Sequence, residues 1–76
     1  MPSATYTAIV EYDAESGMYV GSVPQLRGAH TQAASLDELQ ANLKEVVELV
    51  IADMLAHGEE LPEAQFVGTQ QLTVQV

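Results

Sequence analysis

The residues with the widest chemical repertoire in this chain are two histidines, His30 and His57, and three carboxylates close together, Glu11, Asp13 and Glu15. A histidine acting as a general base needs a group that orients it and a substrate proton within hydrogen-bond reach. His30 stands in "PQLRGAHT", and no Ser/His/Asp or Cys/His spacing surrounds it. It therefore reads as a turn or strand residue, not as a catalyst. His57 precedes Gly58 at the end of a helical pattern, where a protonated imidazole suits the negative helix terminus. Carboxylates spaced by two on a strand share a face, and such clusters hold divalent metals for phosphoryl transfer. Asp13 and Glu15, however, fall in "DAESG", a turn where strand alternation stops, and no second acidic strand completes the cluster. A solvated hairpin tip is favoured over a metal-dependent nuclease.

The remaining motifs carry less. The glycines lack the Gly-Lys-Ser/Thr ending of a phosphate loop, and the acidic turn lacks the spacing of an EF-hand. Ser35 at a helix start could receive an anion, but capping already explains it. No catalytic residue, cofactor site or metal site is expected.

Charge narrows the partners. Eleven acidic side chains face two basic ones, Arg27 and Lys44, for a net charge of −9. Nucleic acid binding depends on cations that displace phosphate counterions, so direct binding to nucleic acid is not expected. Anionic membranes are disfavoured for the same reason. A basic protein is the natural complement. There is no Cys, which removes disulfides and thiolate metal sites and fits a reducing compartment. The start "MPSATYT" has no basic segment leading into an apolar one, and no apolar run approaches the roughly 20 residues of a membrane span. A cytoplasmic location is expected.

These residues must be positioned by a small set of elements. Seventy-six residues make one domain, 1–76, that buries only roughly 60% of its unfolded surface. Without disulfides or metal, oligomerisation is the expected support. "ATYTAIVEY" alternates with the period of a strand, and "MYVGSV" follows the turn as a second strand. Gly21 inside the second strand points to a bulge or a close backbone contact. "HTQAA" fits a short third strand. Ser35-Leu36-Asp37-Glu38 has the form of a capping box. Leu36, Leu39, Leu43, Val46, Val47, Val50, Met54 and Leu55 then mark the apolar stripe of a helix over 36–57, stopped by Gly58. A polar connection containing Pro62 leads to "QQLTVQV", which alternates as a half-buried strand. The predicted fold is α+β, in the order β-β-β-α-β: an antiparallel sheet with one long helix on a face. The hairpin carries apolar groups on both faces, so the oligomer contact is expected at the closing strand or at the second sheet face.

The run from Tyr6 to Ile51 resembles the HicB-like antitoxin family, also labelled UPF0150. The likeness lies in Gly17, Tyr19-Val20, Val23-Pro24, Leu26, Gly28, Thr31, Ser35, Glu38 and the "NLKE" of residues 42–45. Gln25, Arg27, Ala29, Ala33, Ala34 and Leu39 depart from the family's usual residues, while the glycine, the proline and the helix pattern on which the fold inference rests are kept. The resemblance implies a partial RNase H-like fold without its full catalytic set, assembly as dimers or tetramers, and a role in neutralising HicA, a small basic toxin that cleaves mRNA. Many family members add a C-terminal DNA-binding domain. This chain ends on a strand pattern at Val76, so it is expected to be the short form, without autonomous DNA binding. The leading expectation is thus a non-enzymatic antitoxin-like protein, with Glu11, Asp13, Glu15, Glu45 and Glu48 as the groups that attract a HicA-type toxin. The alternative is an orphan oligomeric scaffold or small-ligand-binding protein with no toxin partner.

Overall fold

A computed structural model describes residues 4–61 and 68–75. Three strands and one helix follow in the order β1 (Ile9–Asp13), β2 (Met18–Ser22), β3 (His30–Ala33) and α1 (Leu36–Ala56). The strands form one antiparallel sheet in the order β1-β2-β3, which makes the expected α+β arrangement.

The β1–β2 turn is built by Asp13. Its Oδ1 accepts the Glu15 backbone N–H at 3.2 Å, and its Oδ2 accepts the Ser16 hydroxyl at 2.9 Å. Its carbonyl accepts the Gly17 N–H at 2.8 Å, with Gly17 at φ +72°. An Asp that satisfies its own turn in this way sets the hairpin register. Ile9 pairs with Ser22, Val10 with Gly21, Tyr12 with Tyr19, and on the far side Gly21 pairs with Thr31. Because Gly21 meets the helix, its partners Val10 and Thr31 face the helix too. Tyr12, Tyr19, Val23 and Ala33 share that face by alternation. Ile9, Glu11, Met18, Val20, His30 and Gln32 therefore lie on the open face.

Pairing runs unbroken through Gly21, so the glycine marks a close contact and not a bulge. A Cβ there would stand 2.9 Å from Leu43 Cδ1 and 3.3 Å from Leu39 Cδ2. The missing side chain lets α1 settle onto the middle strand.

The helix begins as its sequence predicts. Ser35 Oγ accepts the Glu38 N–H at 3.2 Å. It ends in a Schellman arrangement, in which the Glu59 N–H reaches the Met54 carbonyl at 2.9 Å and the Gly58 N–H the Leu55 carbonyl at 3.1 Å. Gly58 sits at φ +73°, a conformation that costs other residues more.

Two buried clusters hold the helix down. Leu39 and Leu43 pack on Ala33, with Ala8, Tyr19 and Val46 around them. The second cluster, Val23, Leu26 and Ala29, comes from the corner between β2 and β3, and Val47, Val50, Ile51 and Met54 rest against it. The corner "VPQLRGAH" thus supplies half of the buried core residues, Val23, Leu26 and Ala29. Its backbone closes on itself through Val23 N–H to Ala29 carbonyl at 2.8 Å and Leu26 N–H to Val23 carbonyl at 3.0 Å, with Gly28 at φ +81°.

Two expectations change. Leu36 and Leu55, counted in the apolar stripe, are exposed, while Ile51 joins the core. A helix of 21 residues is about 31 Å long and overhangs three strands, so its ends find no sheet beneath them. Among the described residues the expected closing strand does not join the sheet. Residues 71–75 have no ladder partner, and Leu72 and Val74 are 85% and 70% exposed. Alternation states which strand a segment can form, but pairing also needs an edge brought alongside. The Pro62 connection and Val76 lie outside the described residues.

Candidate functional site

The helix crosses β3 and β2 and leaves β1 uncovered. Between them opens a groove of about 790 Å³. Its floor is Val10 and Ala8 from the first strand region with Val23 and Leu43, and its wall is the helix row of Leu36, Val47 and Ile51. Lys44 and Glu48, one positive and one negative, stand on the same wall. The lining is thus mostly apolar and close to neutral, in a chain of net charge −9. The groove runs beside the outer edge of β1, which carries no neighbouring strand among the described residues. An unpaired edge presents a row of N–H and C=O groups ready to accept another strand.

The five acids fall in separate places. Glu11 is exposed on the open face, and Asp13 and Glu15 occupy the hairpin tip. Glu45 and Glu48 are exposed on the helix, on the other side of the sheet from Glu11. Only Glu48 reaches the groove. The structure therefore joins Asp13 and Glu15 in one turn and keeps them apart from the helix pair. Among the described residues no three His, Asp or Glu side chains converge as a metal site would need.

His30 lies on the open face, exposed, at the start of β3. His57 caps the helix, where its Nδ1 donates to the Asp53 carbonyl at 2.8 Å and lies 3.4 Å from Asp53 Oδ1. That backbone hydrogen bond, followed by the nearby Asp53 carboxylate, raises the imidazole above its ordinary pKa. In the corner loop Gln25 Oε1 is buried without a hydrogen-bond partner.

Sequence reasoning did not find the groove. Val10 and Leu36 read as core in the pattern, and only their exposures of 45% and 55% show that the core stops short of β1. No helix among the described residues is long and apolar enough to cross a membrane.

The family model described as UPF0150-like matches residues 1–62. The chain belongs to the UPF0150 family. It is 44% identical to a UPF0150 protein of Thermotoga maritima over 70 residues, covering 92% of this chain and 89% of that one. A UPF0150 protein of Archaeoglobus fulgidus is 41% identical over 69 residues, covering 91% and 93%. One from Synechocystis is 34% identical over 74 residues, covering 97% of this chain and all of its own. No solved structure matches the chain. The UPF0150 match takes in the sheet, the corner and the whole helix, and stops before residues 68–75.

Proposed function

We propose that this UPF0150 protein is a non-enzymatic, antitoxin-like binding protein that neutralises a small basic HicA-type toxin by direct contact. One observation carries the reading: eleven acidic side chains against two basic ones on a chain of 76 residues. A toxin that cleaves mRNA must attract phosphate, so an acidic protein can occupy the same surface by the same electrostatics. Glu11 on the open sheet face, Asp13 and Glu15 at the hairpin tip, and Glu45 and Glu48 on the helix are all exposed and able to act at a distance. Charge of this kind governs the rate of encounter more than the final affinity.

The test is a binding titration against a HicA-type protein at rising ionic strength. Binding should weaken with salt, and reversing all five acids to Lys should slow association at least tenfold. Tight binding that ignores both changes would remove the mechanism. The alternative, an oligomeric scaffold or small-ligand carrier without a toxin, is favoured by the apolar groove, which no acid-driven contact requires.

A further inference from the structure

We propose that the paired rings of Tyr12 and Tyr19, at the hairpin end of the sheet, receive an arginine side chain of the basic partner, an inference that rests on the proposed function and gives it a point of contact.

The strand register builds the aromatic pair. Tyr12 and Tyr19 face each other across β1 and β2, and their ring centroids lie 5.1 Å apart with the planes tilted by 56°. Tyr19 is half-buried and packs on the cluster of Ala33, Leu39 and Leu43. Tyr12 is 59% exposed and belongs to neither buried cluster. Its hydroxyl lies 4.0 Å from the point that a Cβ on Gly17 would occupy, so the ring leans along the sheet toward the turn. Tyr19 is the anchored ring, and Tyr12 is the one presented to a partner.

The charges around the pair have one sign. Asp13 and Glu15 stand in the turn toward which Tyr12 leans. On its other side Tyr19 pairs with Ala33 at the end of β3, and the helix that follows carries Asp37 and Glu38, both exposed, in its first turn. The two basic side chains of the chain lie elsewhere. Arg27 is in the corner at the opposite end of β2, and Lys44 is about two turns into the helix.

An exposed ring face beside carboxylates attracts a cation, and a guanidinium meets both parts. It is planar and weakly hydrated, so it stacks on a tyrosine while its N–H groups stay free for carboxylate oxygens. Asp13 suits this role, because each of its oxygens keeps a lone pair beyond the one used in the turn. Exposed acids mainly speed encounter, whereas an arginine seated on tyrosine prolongs the complex.

The experiment has two arms, both at about physiological ionic strength. In the first, a tetra-arginine peptide is titrated into the full chain, and the ring protons of its three tyrosines are followed by NMR. Tyr12 and Tyr19 should shift, while Tyr6, packed on the other cluster, should not. Tetra-lysine should bind about twofold more weakly, since an ammonium stacks less well. These two readouts need no variant. Tyr12→Leu should then weaken tetra-arginine about threefold, and Tyr12→Phe, which keeps the ring face, should bind as the wild type does. Both variants should keep the wild-type helical circular dichroism. In the second arm the ligand is the toxin of the proposed function. Tyr12→Leu should raise its dissociation rate about threefold and leave association unchanged, the reverse of the five-acid reversal. Tyrosine rings that do not shift, equal binding of the two peptides, or a folded Tyr12→Leu chain that holds either ligand as the wild type does would each overturn the arginine site. A toxin that binds no form of the chain would remove the proposed function alone, and the peptide arm would still decide the site.

Discussion

Leu43 Cδ1 lies 2.9 Å from the point that a Cβ on residue 21 would occupy, so Gly21 and Leu43 share one space between the middle strand and the helix. Leu43 and its neighbour Leu39 are 8% and 1% exposed, which leaves their methyl groups little room to retreat. Gly21→Ala gains some backbone rigidity but overpacks this contact, for a net loss of about 1–2 kcal/mol. Gly21→Val should lose more. Urea unfolding at fixed protein concentration measures both. Leu43→Val in the Gly21→Ala background should cost less than Leu43→Val alone, since the two residues couple.

The corner between β2 and β3 is predicted to behave as core although it has the composition of a loop. Leu26 is 3% exposed and packs with Val23 and Ala29 beneath the second half of the helix. Leu26→Ala should cost about 2–5 kcal/mol, as expected for a cavity in a core. The neighbouring Arg27→Ala, at an exposed position, should stay within about 0.5 kcal/mol. Equal effects at the two positions would contradict the packing.

His57 links stability to pH. Its Nδ1 donor to the Asp53 carbonyl, and then the Asp53 carboxylate, raise its pKa in the folded chain, with Glu59 adding in the same direction and the slight loss of solvent opposing. A pKa raised on folding means that its stabilising contribution is complete below the unfolded value of about 6.5. It is lost as pH rises through the higher folded value. Imidazole titration by NMR should place the His57 midpoint above that of the urea-unfolded chain. Asp53→Asn should lower it only in part, because the backbone carbonyl remains, and His57→Gln should remove this pH-dependent component of stability.

Most local structure was legible because it depends on neighbours in the chain. Ser35 and Glu38 stand at the helix start and Gly58 at its end, and each acts within a few residues of itself. The hairpin was legible from alternation and from "DAESG", where Asp13 supplies its own hydrogen bonds. The sheet register was not. Tyr19 and Val20 are both apolar enough for either face, and only the approach of the helix to Gly21 assigns Tyr19 to the core side. The candidate acids were visible as types, but that Glu11 faces away from the helix that carries Glu45 and Glu48 follows from strand register.

The sequence by itself determined the α+β class, the helix limits, the hairpin turn and the acidic surface, because propensity, capping and charge act over short stretches of chain. Only the tertiary structure decided where the helix lies. Set over β2 and β3 by the contact at Gly21 and by the buried corner at Leu26, it leaves β1 bare and opens the groove. Residues 71–75 carry a strand pattern, yet among the described residues they do not join the sheet. A strand needs an edge in space as well as a pattern in sequence, and Leu72 and Val74 have the pattern but stand exposed.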